Sequence, residues 1–157
     1  MDSYLDFLNG DTVFFGKLLL ALVLGLALGF ERTIAGKMAG MRTYALVAMG
    51  SCLLVIVGES ISLDYVGLTN FDPLRLAAGV ITGVGFICGG LVVFSDKKLL
   101  GLTTAAGMWV ATAIGMTVGF GLYTIAIFAT ILTLITFTLL WKLEEVVRGF
   151  SDEDSRD

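Results

Sequence analysis

Histidine is absent from the 157-residue chain, which has only two cysteines, one proline and 15% charged residues. Without histidine, histidine-based metal sites and both serine–histidine and cysteine–histidine catalysis are excluded. Cys52 and Cys88 lie inside apolar runs without metal-ligand spacing, so we predict neither a disulfide framework nor a zinc site. The formal charge of −4 argues against nucleic-acid binding. We therefore expect no cofactor, and no nucleophile and base that would indicate an enzyme.

Apolar residues dominate what is present. They make up 57% of the chain, and glycine adds 20 residues, whereas a soluble domain has about a quarter charged residues. Five segments reach the roughly 20 residues that a bilayer-spanning helix needs. The predicted spans are residues 12–30, 44–61, 73–94, 102–119 and 122–141. We predict an all-α integral membrane protein, with a membrane domain over residues 1–141 and a short, acidic-ended tail over residues 142–157.

The basic residues predict the orientation of these spans. Five spans place eight of the ten basic residues on one side and only Lys17 and Arg75 on the other. The positive-inside rule then places the C-terminus in the cytoplasm and the N-terminus outside. The acidic start of the chain differs from the basic start of a cleavable signal, so we expect the first span to remain as a helix.

Two short strings predict where helices begin and turn. Asp72 and Pro73 are suited to the cap and the first position of the third helix. Phe120 and Gly121 leave almost no loop, so the fourth and fifth helices should form a tight antiparallel hairpin.

Glycine is concentrated in the third span. Membrane helices associate through close packing of small residues, because lipid tails are as apolar as leucine. Helix packing is therefore one interpretation of the glycines; a functional break that bares carbonyls beside a cavity is the other. The fifth span has no glycine between Leu122 and Trp141 and is predicted to be peripheral. The glycines concerned are Gly79, Gly83, Gly85, Gly89 and Gly90.

A charged cluster is predicted at the cytoplasmic end. Ionisable residues at membrane depth are candidates for function because they are costly to bury. The cluster either fixes the topology, with Glu31 paired to a basic residue, or forms a basic pocket for a lipid headgroup or another anion. Its members are Glu31, Arg32, Lys37 and Arg42.

A second cluster, Glu59, Asp72 and Arg75, is predicted at the outer end. Arg75 lies against the positive-inside trend, so we expect Asp72 or Glu59 to pair with it. The cluster either locks the structure or serves in gating or cation binding, and a hydrated Mg²⁺ is one candidate.

The predicted bilayer centre carries no charged residue, which argues against a proton-driven pump. A channel lined by carbonyls and threonines stays open as an alternative. The threonines concerned are Thr82, Thr104 and Thr112.

Five strings together resemble the membrane domain of the MgtC/SapB family, in order and spacing from about residue 25 to 123. The resemblance implies a bacterial inner-membrane protein of about five spans, without the soluble cytoplasmic domain of longer members. Gly79 stands where the family usually has glutamine, and Thr103, beside Thr104 at the start of the fourth helix, stands where some pathogen members have asparagine. The strings are residues 29–32, 37–43, 72–78, 82–86 and 101–106, the last followed by Trp109.

The resemblance also implies a function. Family members are associated with growth in low magnesium, and their best-studied role is control of membrane potential and of the F-type ATP synthase. We therefore predict a regulator that contacts membrane lipids and other membrane proteins such as the ATP synthase. The alternative is a small channel or transporter, which would be a homo-oligomer because five short helices enclose little room.

Overall fold

The structure is a computed structural model that describes residues 2–64, 72–95 and 98–143. Within these residues, five helices are long and apolar enough to cross a membrane, which confirms the predicted spans. The fifth helix continues from α5 through a π-helical turn, Thr136–Leu140. The predicted tail lies outside the described residues from position 144 onward. The helices are α1 (Asp2–Ile34), α2 (Met41–Asp64), α3 (Pro73–Leu91), α4 (Leu102–Gly119) and α5 (Tyr123–Ile135).

Helix α4 forms the centre of the bundle. It buries 11 of its 18 residues, and its apolar side chains join the main core. Small residues permit this close packing, because a methyl group added at Gly119 would lie 2.7 Å from Cβ of Val55 on α2. Likewise, a methyl group added at Gly25 on α1 would lie 2.7 Å from the carbonyl oxygen of Tyr44. Helices α1, α2 and α4 thus pack backbone against backbone.

Two hydrogen bonds join α2 to α4 inside this core. The Ser51 hydroxyl donates to the Thr112 carbonyl oxygen at 3.0 Å, and the Tyr44 hydroxyl donates to the Thr104 carbonyl oxygen at 3.0 Å. Polar groups at membrane depth must find partners within the protein, since hydrocarbon offers none. Both donors are therefore satisfied where the two helices are closest.

Helix α3 lies at the margin and is shorter than predicted. Of its 19 residues, only Val80 and Val84 are buried. It ends at Leu91 rather than at residue 94, because the chain enters a small antiparallel hairpin of β1 (Val93–Ser95) and β2 (Lys98–Leu100). Glycines weaken the end of α3, while the β-branched and aromatic residues that follow favour a strand. The all-α prediction holds except for this hairpin.

The predicted helix start and turn are both confirmed. Asp72 caps α3, because its Oδ1 accepts a hydrogen bond from the Leu74 amide at 2.9 Å, and proline occupies the first turn. Between α4 and α5, Gly121 adopts a φ of +78°, and the Leu122 amide donates back to the Thr117 carbonyl at 3.0 Å. Glycine suits this left-handed position because it lacks a Cβ.

Candidate functional site

The basic end of the bundle, which carries Arg32, Lys37 and Arg42, is shaped by the way α1 ends. Gly36 adopts a φ of +63°, which a glycine tolerates at a helix C-terminus. The Gly36 amide then donates to the Thr33 carbonyl at 3.1 Å, and the Lys37 amide donates to the Arg32 carbonyl at 3.0 Å. This turn reverses the chain and places Lys37 beside the last turn of α1.

Arg32 is buried, with 2% of its surface exposed, and no other charged side chain is buried among residues 12–62, 72–93 and 99–143. Its Nε donates to the Glu31 carboxylate. On its other side, the guanidinium carbon lies 3.6 Å from the centroid of the Phe137 ring, where a cation is attracted by the face of the ring. An ion pair and an aromatic ring thus hold this charge at the helix end.

Phe137 lies in the π-helical turn and packs against a glycine on α4. The turn lies within the fifth helix, and π-helical turns occur frequently at functional sites. A methyl group added at Gly107 would lie 2.5 Å from both the Phe137 ring and the Tyr44 hydroxyl. Glycine at this position therefore makes room for the ring.

A cavity of about 360 Å³ opens beside Arg32, between the end of α1, α4 and the fifth helix. Two cationic side chains and three threonines form its polar lining, and apolar side chains form the remaining walls. The Thr133 and Thr136 hydroxyls donate to carbonyls of their own helix at 2.7 and 2.8 Å. A cationic lining of this kind suits an anion. The polar residues are Arg32, Lys37, Thr103, Thr133 and Thr136.

The structure brings only some members of the predicted cytoplasmic cluster to the cavity, and only one of the two threonines at the start of α4. Arg32 and Lys37 line the cavity, whereas Glu31 faces a separate apolar groove between α1 and the fifth helix. Arg42 is exposed on α2. Thr103 lines the cavity. Its neighbour Thr104 is buried in the core instead.

The predicted outer cluster does not form among the described residues, which corrects the expected pairing of Arg75. Glu59 instead lies 3.8 Å from Lys17, whose Nζ also donates to the Gly119 carbonyl at 2.6 Å. Asp72 is used as the cap of α3, and Arg75 is exposed. The neighbouring helices α1 and α2 bring Lys17 and Glu59 together, so this carboxylate pairs with Lys17 and not with Arg75.

Within the chain, the glycines of α3 neither break the helix nor pack against another helix. The helix is continuous from Pro73 to Leu91, so the interpretation as a break is wrong. Helix packing is not seen within the chain at these glycines, because a methyl group added at any of the five positions would meet no atom within 4 Å; packing against another molecule stays a prediction. The positions are Gly79, Gly83, Gly85, Gly89 and Gly90.

A groove of about 720 Å³ separates α3 from α2. Gly79 and Gly83 line one wall, Gly50 lines the other, and Arg75 lies at the α3 start of the same groove. Most of the remaining lining is aliphatic. We call this surface the α2–α3 groove.

The threonines expected in a channel are dispersed. Thr104 and Thr112 are buried in the core, whereas Thr82 is exposed on α3. The hydroxyls of Thr82 and Thr112 donate to carbonyls of their own helices. Within a single copy of the chain they do not meet along one path.

Sequence reasoning identified Arg32, Lys37 and Thr103 but missed the rest of the cavity lining, including Phe137, Gly107 and Trp141. Phe137 and Gly107 are in close contact between the fifth helix and α4, and nothing in the sequence pattern signals which residues of these helices meet. Trp141, which lines the cavity, carried a signal of its own, since it lies at the helix end beside Lys142 where aromatic residues gather at a membrane interface.

Five helices that are long and apolar enough to cross a membrane define a multi-pass membrane protein. Residues 18–146 match the MgtC family. The chain belongs to this family, which confirms the resemblance seen in the sequence strings.

Three named relatives illustrate the similarity. The chain is 44% identical over 132 residues to the candidate magnesium transporter YhiD of Escherichia coli (strain K12), a match that covers 81% of this chain and 60% of YhiD. It is 34% identical to SapB of Bacillus subtilis (strain 168), covering 83% and 58%, and 35% identical to MgtC of Brucella abortus (strain 2308), covering 81% and 51%. The chain thus spans between half and three fifths of the length of these relatives. No solved structure matches it.

Proposed function

We propose that the chain is a regulatory protein of the bacterial inner membrane that acts in adaptation to low magnesium by binding other membrane proteins. The α2–α3 groove is the observation that supports this proposal. Gly50, Gly79 and Gly83 line it, and none of them has a neighbour within 4 Å of an added methyl group. Membrane helices bind one another through such small-residue surfaces, since burial of apolar area gives no advantage over lipid.

The charge at the groove favours a protein partner with an acidic group. Arg75 lines the groove, is exposed and has no ion-pair partner among the described residues. An unpaired guanidinium near the bilayer is costly, so a carboxylate at the end of a docked helix would stabilise the complex. The membrane sector of the F-type ATP synthase is the partner that the family resemblance suggests.

A second candidate function is a homo-oligomeric channel or transporter. The name of the relative YhiD describes it as a candidate magnesium transporter. Two copies that face each other across α3 would convert the lateral α2–α3 groove, about 720 Å³ in each copy, into an enclosed space.

Co-reconstitution with an F-type ATP synthase tests the regulatory proposal. The full chain and the synthase are placed in the same liposomes, and ATP-driven proton pumping is followed with a pH-sensitive dye. We expect the chain to change pumping in proportion to its amount. Gly83→Leu fills the groove and should abolish the effect, whereas Gly85→Leu, on the same helix but outside the groove lining, should leave it intact.

Liposomes that contain the chain alone separate the two candidates. The regulatory proposal predicts no flux of Mg²⁺ or monovalent cations, measured with entrapped indicators. Sustained cation flux that Gly83→Leu blocks and Gly85→Leu does not would support the channel and contradict the regulator. An unchanged rate of pumping with the synthase would remove that enzyme as the partner.

A further inference from the structure

We propose that the cavity at the basic end binds a phosphate-bearing anion, held by Arg32 and Lys37. This site is separate from the α2–α3 groove, and the proposal does not depend on the regulatory function. The cavity lies between the end of α1, the first half of α4 and the fifth helix, and has a volume of about 360 Å³.

Arg32 presents unused hydrogen-bond donors to this cavity. A guanidinium has five N–H donors, and only the one on Nε has a hydrogen-bond partner among the described residues, the Glu31 carboxylate. The structure leaves no fully buried side-chain nitrogen of the described residues without a partner. The terminal nitrogens of this otherwise buried side chain are therefore open to the cavity that Arg32 lines.

The charge balance of the cavity is positive. Glu31 pairs with Arg32 but lines the groove between α1 and the fifth helix, and the described lining of the cavity contains no acidic side chain. Lys37 adds a second cation, which has no ion-pair partner among the described residues. An anion that entered the cavity would therefore meet two cationic groups and no opposing carboxylate.

The hydrogen-bond donors of the cavity suit a phosphate group. The planar fork of a guanidinium matches phosphate oxygens with two parallel hydrogen bonds. Thr103 lies in the first turn of α4 and lines the same cavity, where the positive end of the helix dipole favours an anion. Apolar side chains continue the walls, so the phosphate of a lipid headgroup and a free phosphate are the two sources to distinguish. The apolar residues are Ala106, Val110, Leu132 and Leu140.

Fluorescence of Trp141 reports on the site directly. Trp141 lines the cavity, and the Trp109→Phe variant makes it the only tryptophan of the chain. The full chain, purified in a neutral detergent, is titrated with short-chain phosphatidylglycerol, short-chain phosphatidylcholine and inorganic phosphate. We expect a saturable change in fluorescence with phosphatidylglycerol and none with the zwitterionic phosphatidylcholine.

Four variants locate the binding to the proposed groups. Lys37→Ala should weaken binding about tenfold, since it removes a hydrogen bond to a charged group. Arg32→Lys keeps the charge but loses the guanidinium fork, and should also weaken binding. Arg32→Ala removes both, and its folding is checked by circular dichroism. Arg42→Ala is the matched control, because it removes an exposed basic residue of the same end that does not line the cavity.

The outcomes separate the sources of the anion and can overturn the proposal. Saturation by inorganic phosphate, with displacement of phosphatidylglycerol, identifies a free phosphate site; saturation by phosphatidylglycerol that phosphate does not reverse identifies a lipid headgroup site. The proposal is overturned if neither anion gives a saturable change, or if phosphatidylcholine binds equally well. It also fails if Arg42→Ala weakens binding as much as Lys37→Ala, which would indicate attraction to the surface alone.

Discussion

Helices α3 and α4 are both rich in glycine, yet they use it in opposite ways. On α4, methyl groups added at Gly115 and Gly119 would collide with α2. On α3, a methyl group added at Gly83 or Gly85 would meet nothing. The same residue type thus allows three helices to form a core in one place and leaves an unfilled surface in another. A glycine pattern shows that a close approach is allowed, but not whether the neighbour belongs to the same chain.

Substitution of a packed glycine by alanine should have its largest effect on stability at Gly115 of α4. Its added methyl group would collide with the Ala48 carbonyl oxygen and the Ser51 hydroxyl, and backbone atoms yield little. We expect Gly115→Ala to lower the free energy of unfolding by about 1–3 kcal/mol, the cost of overpacking a close-packed core. Unfolding in a mixed-detergent titration, followed by circular dichroism, measures the change.

The matched variant on α3 should not lower the free energy of unfolding. Gly85→Ala meets no atom, and alanine is more favourable than glycine within a helix by up to about 1 kcal/mol. We therefore expect unchanged or slightly increased stability in the same titration. Equal losses at Gly85 and Gly115 would contradict the contrast between the two helices.

Gly107→Ala should have a smaller effect than Gly115→Ala. The methyl group would lie 2.5 Å from the Phe137 ring and from the Tyr44 hydroxyl, and both are the far ends of side chains that can move. We expect a loss of about 1 kcal/mol, together with displacement of Phe137 from Arg32. The emission of Trp141 in the folded protein should shift, and the unfolding titration measures the loss of stability. A variant of unchanged stability and unchanged emission would show that the Phe137 ring is not held by its contact with Gly107.

Much of the fold follows from local chemistry in the sequence. Apolar length predicts the five spans, and the Asp72–Pro73 and Phe120–Gly121 pairs predict a cap and a turn because their effects act within a few residues. The end of α3 at Leu91 was not predicted. There, helix and strand preferences compete over a few residues, and hydropathy does not distinguish the two.

The candidate site was predictable in its charges but not in its shape. Clustering of basic residues placed Arg32 and Lys37 at one end of the bundle, since topology selects for such clusters. The cavity beside them is lined in part by Phe137, whose contact with Gly107 on α4 depends on how the helices pack. The pairing of Lys17 with Glu59 likewise requires knowing which helices are neighbours, and that is a property of the packed bundle.

Ser51→Ala should cause a smaller loss of stability than Gly115→Ala or Gly107→Ala, and it tests the hydrogen bond between α2 and α4. The hydroxyl donates to the Thr112 carbonyl at 3.0 Å across the two helices, and hydrogen bonds between membrane helices contribute about 0.6 kcal/mol on average. Ser60→Ala is the control, because the Ser60 hydroxyl donates to the Ile56 carbonyl within α2. We expect a loss of about 0.6 kcal/mol for Ser51→Ala and a smaller loss for Ser60→Ala in the same unfolding titration. If the two losses are equal, the Ser51 hydroxyl stabilises only its own helix, where it also lies 3.0 Å from the Ala48 carbonyl oxygen, and adds nothing to the contact between α2 and α4.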